Sequence, residues 1–347
     1  MTYEEIIEQI KDGLTGDSKA DIAYLREQME NYKDHPMGKE ILRECGRIIY
    51  SVLPDDRKDE FSRLVDKEDL KLDTAMDEVR FNIYKKDYQH ALILMEDIVE
   101  KVESLEEDGM FRNDAVSEYF TFNEPFEEML YITVNDPDKE IRRSPIPFDS
   151  IYFQYGSLLI DLKRYEDANQ ALRKAVRWNP VNTDILFEYS ESFKLLGDIE
   201  KFFEISMQAA RYAFRSPSLG RCYRNFAYYF VEKKLWKEAI GCDLISLQFD
   251  PNSANAQSEL FYIQQMTNGT VEQPTLDELR GYGEKYGFPI GADDTVLSLA
   301  YTFGQQSLDD GETDAARYFF EILYDLTDDE EIKGILDSLP EANEKKS

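Results

Sequence analysis

Residues 149–180, DSIYFQYGSLLIDLKRYEDANQALRKAVRWNP, decide the fold because they contain two helical segments that fit each other. Apolar residues recur every three or four positions in both halves, which is typical of amphipathic helices. Gly156 lies in the first half and Ala168 in the second, and small residues at these places let two helix backbones approach closely. Pro180 cannot continue a helix and therefore predicts a turn into a further unit.

The same small residues return along the chain at intervals of about two 34-residue periods. The small residues of the second helices, here called the seam alanines, are Ala91, Ala168, Ala239 and Ala316. They are separated by 77, 71 and 77 residues, and the three residues beyond two periods in the middle interval fit the loop sequence RSPSLG at 215–220. A fixed period indicates a helical repeat array in which every unit packs on its neighbours. An irregular helical bundle is the alternative.

The order of residues in 149–180 resembles a tetratricopeptide repeat, with an aromatic residue, a glycine, a second aromatic, an alanine and a closing proline. The matching residues are Tyr152, Tyr155, Gly156, Leu159, Tyr165, Ala168, Leu172, Ala175 and Pro180. The resemblance implies an all-α fold, a tetratricopeptide-like solenoid in which antiparallel helix pairs form a right-handed superhelix.

The period also predicts how the chain is divided. Residues 1–71 are expected to form an N-terminal helical cap and residues 331–347 a C-terminal capping helix and tail, because an end unit has only one neighbour. Residues 72–330 are expected to hold about six helix pairs. The pairs are expected at 149–182, 183–219 and 220–253, with fainter ones at 72–105 and 297–330 and degenerate ones at 106–148 and 254–296.

Composition excludes several classes of protein. The 347 residues are 42% apolar and 13% aromatic, too much for a disordered polyelectrolyte. The formal charge of −31 argues against a nucleic acid or an anionic membrane as partner. Cys45, Cys222 and Cys242 predict no disulfide framework, and two histidines exclude a multi-histidine metal site. Buried thiols, together with the lack of a signal peptide or spanning segment in the sequence, predict a cytoplasmic location.

No motif predicts an enzyme. The GDS sequence at 16–18 follows no strand and is interpreted as a helix boundary, and GYGEKYG at 281–287 fails the spacing of a dinucleotide-binding loop. We therefore expect no catalytic residue, no cofactor and no metal. An enzyme with a cryptic carboxylate site is a third alternative, which a pocket with several acids of strongly raised pKa would favour.

Candidate binding residues follow from the resemblance, which implies that the first helix of each pair lines the concave face. The side chains that remain on these helices after the seam is assigned are Phe153, Phe187, Arg224, Tyr228, Tyr262 and Tyr301. Aromatic residues and arginine are the types that anchor protein interfaces. The alternative is that some of them, the phenylalanines above all, are buried against a neighbouring unit.

Charge is distributed unevenly. Residues 139–240 carry 17 basic and 13 acidic side chains, whereas the segments on both sides are strongly acidic. Arginine forks suit carboxylates, so Arg221, Arg224 and Asn225 are predicted to hold an acidic segment or a carboxylate terminus. The alternative is that this basic region pairs with the protein's own acidic ends.

The leading functional hypothesis is a non-enzymatic scaffold that binds a protein or peptide partner on the concave face of the array. The second hypothesis is a peptide-responsive regulatory sensor, in which residues 1–71 transmit the signal. A ligand-dependent change in protease sensitivity around Pro54 would distinguish the sensor from a rigid scaffold. The amino-terminal segment is acidic and lacks the basic recognition helix of DNA-binding regulators.

Overall fold

The chain folds into two compact units. The computed structural model describes residues 3–33, 35–52, 72, 74–107 and 111–340. The first unit comprises Met1–Phe120 and Pro137–Ile146, and the second comprises Thr121–Asp136 and Pro147–Ser347. Part of the predicted N-terminal cap, including Pro54, and the predicted tail from residue 341 lie outside the described residues.

The first unit combines helices with a two-stranded sheet. Its elements are α1 (Tyr3–Asp12), α2 (Ser18–Tyr32), α3 (Gly38–Val52), α4 (residues 74–84), α5 (Tyr88–Glu107), β1 (Ser117–Phe120) and β2 (Glu140–Arg143). The buried core of α1 to α3 contains Ile6, Ile7, Ile10, Leu25, Ile41, Cys45 and Ile48. The interpretation of residues 16–18 as a helix boundary is confirmed, because the Asp17 side chain accepts the N–H of Ala20 and caps α2.

Residues 106–148 do not form the degenerate helix pair that the sequence predicts. Between α5 and the first clear repeat they contain β1, a single helix α6 (Pro125–Asn135) and β2. The strands pair in parallel, with Ser117 opposite Glu140 at the start of the ladder. Extended backbone is favoured here because the Asp114 side chain accepts two backbone N–H groups ahead of β1, and two prolines follow β2 and stop a helix.

The second unit is a stack of helix pairs. It consists of α6, α7 (Phe148–Asp161), α8 (Tyr165–Trp178), α9 (Thr183–Leu195), α10 (Ile199–Tyr212), α11 (Ser216–Glu232), α12 (Trp236–Phe249), α13 (Ala254–Met266), α14 (Leu276–Tyr286), α15 (Asp294–Asp309), α16 (Thr313–Thr327) and α17 (Glu330–Ser338). α7 packs on α8, α9 on α10, α11 on α12 and α15 on α16, and α8–α9, α10–α11 and α12–α13 contacts join successive pairs. Helices joined by short turns run antiparallel. The predicted helical-repeat fold is confirmed, with the small sheet of the first unit as an addition.

Small residues allow the paired helices to approach closely. Ala168, Ala239 and Ala316 are completely buried. A Cβ atom added at Gly156 would stand 2.5 Å from Cγ of Leu172, far inside van der Waals contact. The sequence predicts the close approach at Gly156 but assigns the wrong partner, since the side chain over this glycine is Leu172 rather than Ala168.

Helix α6 is anchored to the first repeat by buried carboxyls and amides. The Glu127 carboxylate accepts hydrogen bonds from Nδ2 of Asn179 at 2.9 Å and of Asn182 at 2.8 Å. The Asp149 carboxylate accepts from Nδ2 of Asn123 at 3.1 Å and of Asn179 at 3.3 Å. Burial raises the pKa of both acids, while these hydrogen bonds oppose the shift. The amide groups replace much of the lost hydration, which explains why two acids are tolerated here.

Helix α6 also contacts the far end of the repeat stack. The buried Phe126 ring lies 5.1 Å from the ring of Phe214 and 6.1 Å from that of Phe319, measured between centroids. Just before α6, Oε2 of Glu124 accepts hydrogen bonds from Arg215 and from the Tyr318 hydroxyl, both at 2.8 Å. The second unit therefore joins elements that are nearly two hundred residues apart in the chain.

A buried tyrosine ties the segment before α15 to α11. The Tyr223 hydroxyl lies 2.5 Å from the carbonyl oxygen of Pro289 and 3.0 Å from that of Gly291, and it accepts the Gly291 N–H at 2.7 Å. Phe288 follows the same path and packs its ring 5.0 Å from that of Phe226. Burial raises the pKa of Tyr223 far above its ordinary value, so the hydroxyl keeps its proton for donation.

The close approach at Gly156 yields a stability prediction. Gly156→Ala is expected to lower the free energy of unfolding by roughly 1–3 kcal/mol, because the new methyl group overlaps Leu172. Gly281→Ala is the matched control, since no atom lies within 4 Å of its added Cβ and the better helix propensity of alanine should stabilise α14 by up to about 1 kcal/mol. Urea unfolding followed by circular dichroism measures both. Equal stabilisation by the two changes would contradict the close packing.

The tether at Tyr223 yields a second stability prediction. Tyr223→Phe removes a hydroxyl and leaves the Gly291 N–H without an acceptor, which should cost roughly 1–3 kcal/mol. Tyr262→Phe is the control, because its side chain is 46% exposed and a surface change should stay within about 0.5 kcal/mol. Thermal unfolding compares the two variants with the wild type. A Tyr223→Phe protein as stable as the control would show that the hydroxyl does not hold this segment.

Candidate binding groove

An open groove of about 500 Å³ lies on the first helices of three successive repeats. We call it the α11 groove, and its lining consists of Glu191, Lys194, Phe202, Arg221, Arg224, Asn225, Tyr228, Asn255 and Glu259. The repeat explains this grouping, because Asn255 follows Arg221 by 34 residues and Glu259 follows Asn225 by 34. Side chains at equal places in consecutive repeats are brought next to one another.

Four of the eight predicted binding residues line this groove, namely Arg221, Arg224, Asn225 and Tyr228. The other four do not line it. Phe153 is partly buried on α7, and Tyr262 and Tyr301 are half exposed on α13 and α15. Phe187 is only 1% exposed and is not available as a surface anchor, because the Arg221 guanidinium lies 4.6 Å from the centre of its ring. The alternative of burial against a neighbouring unit therefore applies to Phe187.

The arginines of the basic region are held by acids of the same chain. Arg221 pairs with Glu188 at 3.1 Å, and Arg224 pairs with Asp250 at 3.0 Å. Arg224 also donates to Oγ of Ser246 at 3.2 Å. A ligand carboxylate in the groove would therefore be an additional acceptor for these guanidinium groups and not their first. The pairs fix both arginines in place before any ligand arrives.

The wall beside these arginines is aromatic and amide-rich. Tyr228 packs edge-on against Phe202 with 5.6 Å between ring centroids, and the Lys194 ammonium lies 4.9 Å from the centre of the Tyr228 ring. Lys194 also pairs with Glu191. Asn225 donates from Nδ2 to Oγ of Ser206 at 3.0 Å. The groove therefore offers an aromatic face for a ligand chain and fixed polar groups around it.

Two acidic residues at the α13 side of the groove were not predicted from the sequence. Asp243, on α12, is completely buried, and neither carboxyl oxygen has a hydrogen-bond partner. Burial raises the pKa of Asp243 to about 9, the charge of Glu259 raises it further, and Arg224 opposes the shift. Burial also raises the pKa of Glu259 to about 7, where Lys194 opposes the shift and Glu232 adds to it.

A signal for Asp243 was present in the sequence. It lies four residues after the seam alanine Ala239. The residues at the same distance from the other seam alanines are Met95, Leu172 and Phe320, all of them apolar and completely buried. An acid at this position departs from the repeat pattern, and such departures tend to mark sites that do something other than pack.

The raised pKa values of Asp243 and Glu259 bear on the alternative of a cryptic carboxylate enzyme. Acid–base catalysis needs a carboxyl within hydrogen-bond reach of the substrate. Glu259 lines the groove and meets that condition, whereas Asp243 is sealed from solvent and does not. Among the described residues, no cluster of three or more histidine, cysteine, aspartate or glutamate side chains could hold a metal ion. No helix in the described part of the chain has the length and apolar character needed to cross a membrane.

Comparison with known proteins gives one sequence match and several structural ones. The model of the tetratricopeptide repeat matches residues 149–182. No curated protein matches the chain. A tetratricopeptide repeat protein from Parabacteroides merdae is 13% identical over 96% of this chain and 97% of its own, with a TM-score of 0.37. PilF of Pseudomonas aeruginosa is 18% identical over 51% of this chain and 75% of its own, with a TM-score of 0.32.

YrrB, described as a tetratricopeptide-repeat protein with an unusual peptide-binding site, is 14% identical over 62% of this chain and 99% of its own, with a TM-score of 0.30. At these identities and TM-scores, the solved structures carry no inference about the ligand of this chain. The match at 149–182 coincides with α7 and α8, whose seam returns in α11–α12 and α15–α16. The chain therefore belongs to the tetratricopeptide-repeat proteins.

Proposed function

We propose that the protein is a scaffold that binds a peptide segment of a partner protein in the α11 groove. The tetratricopeptide-repeat fold is that of a protein-interaction scaffold, because stacked repeats build an extended surface from local contacts. The observation that carries the proposal is the groove itself, about 500 Å³ in volume and lined by first-helix residues of three successive repeats.

The chemistry of the lining suggests how a peptide is held. Tyr228 supplies a partly exposed aromatic ring backed by Phe202, and aromatic anchors are common among the residues that dominate interface energies. Arg221 is about one third exposed, and Glu188 takes one of the five N–H donors that a guanidinium carries. An acidic side chain or a terminal carboxylate of the ligand would bind at the remaining donors of Arg221.

Selection from a random-peptide library on the immobilised protein tests this function. The double variant Arg221→Glu, Tyr228→Ala should bind the selected peptides at least about tenfold more weakly, because interface anchors typically contribute 1–2 kcal/mol or more each. Arg211→Glu makes the same charge change at an exposed site on α10 and should leave affinity unchanged.

The decisive comparison is between the two variants, measured by fluorescence anisotropy with equal thermal midpoints as the check on folding. Selected peptides that bind the double variant as tightly as the wild type would place recognition outside the groove. A library that yields no binding peptide at all would reject the proposal.

A further inference from the structure

The pair formed by Asp243 and Glu259 occupies a place that the preceding repeat fills differently. Asn225 and Glu259 hold the same position in successive first helices, 34 residues apart. Asn225 donates to Ser206 at 3.0 Å, and this amide–hydroxyl pair satisfies both groups. One repeat later the array places two carboxyl groups together instead.

These carboxyl groups have no partner among the described residues. Both oxygens of Asp243 are buried without a hydrogen bond, and Glu259 makes none and forms no ion pair. The nearby cations are already engaged, since Lys194 pairs with Glu191 and Arg224 pairs with Asp250. Buried polar groups are nearly always satisfied in proteins, so this orphaned pair at the side of an open groove indicates a missing donor.

We propose that the α11 groove binds a cationic group of its peptide ligand, the ammonium of a lysine or the guanidinium of an arginine side chain, against Glu259 with Asp243 behind it. The proposal rests on the function proposed above and specifies its ligand. A cation supplies only hydrogen-bond donors, which is what two carboxyl groups lack. Glu259 makes the direct contact because it lines the groove, and the buried Asp243 adds a second acceptor-rich group to the field at that point.

The groove is then polarised along its length. Arg221 lies at the side of α9 and α11 and faces Glu188, whereas Glu259 lies on α13. An acidic group of the ligand fits the Arg221 side and a basic group fits the Glu259 side. The preferred ligand is therefore a segment that carries both charges around an aromatic-binding centre at Tyr228, and a purely acidic segment would leave the α13 side unsatisfied.

The charges that face Glu259 determine how binding depends on pH. They are Glu191 and Lys194 from α9, Arg224 and Glu232 from α11, and Asp243 from α12. A cation favours the ionised carboxylate, and the pKa of Glu259 without ligand is about 7. The contribution of the cation is therefore complete above this pKa and is lost as the pH falls through it. Affinity should drop about tenfold between pH 8 and pH 6 if only Glu259 must ionise.

The test starts from a peptide selected from the random library on the wild-type protein. Selected peptides should share a lysine or arginine at one aligned position. Replacing that residue by norleucine, which keeps the length of a lysine chain but not the charge, should weaken binding about tenfold at pH 8 and much less at pH 6. Glu259→Gln should weaken binding of the lysine peptide by a similar factor and leave the norleucine peptide unaffected.

Glu284→Gln, an exposed acid on α14, controls for the loss of one negative charge and should keep the preference for lysine. Peptides that depend on Arg221 and Tyr228 but show no basic residue, or that bind Glu259→Gln as well as the wild type, would overturn the cation site and leave the groove function standing. Peptides that ignore Arg221 and Tyr228 would overturn both.

Discussion

The close approach of two helices at small residues is the constraint on which the rest of the second unit depends. Ala168, Ala239 and Ala316 are completely buried, and a side chain larger than hydrogen at Gly156 would overlap Leu172. This packing fixes the distance between the helices of a pair, and the constant length of the pair fixes where the next one starts. Residues 34 apart in α11 and α13 therefore become neighbours in one groove.

The sequence predicted this frame well because its determinants are local. A small residue, a turn and a proline at fixed spacing can be recognised in one repeat without knowledge of the others. The partner of Gly156 was assigned wrongly, since spacing along the chain does not say which side chain reaches across the gap. The strands β1 and β2 were missed because each has only four residues, too few for alternation to be recognised, and because a surplus of nine residues reveals length and not conformation.

The candidate site was predicted in part for a similar reason. Residue type identified Arg221, Arg224, Asn225 and Tyr228, which share one first helix and meet in the groove. Their pairing with Glu188 and Asp250 depends on tertiary distances that no local pattern contains. Arg215 pairs with Glu124 from the amino-terminal acidic segment, so part of the basic region serves as an internal counter-charge. The same segment of chain can hold itself together and still present donors to a ligand.

The contact between α6 and α16 has a consequence for the evolution of the array. In an open solenoid each repeat touches only its neighbours, so repeats can be duplicated or lost at little cost and the ends fray first. Here Phe126 meets Phe319, and Glu124 binds both Arg215 and Tyr318, which connects the beginning of the stack to its end. A repeat gained or lost between them would displace one side of this junction. The number of helix pairs is thereby locked, and the stack gives up the modular growth that open arrays retain.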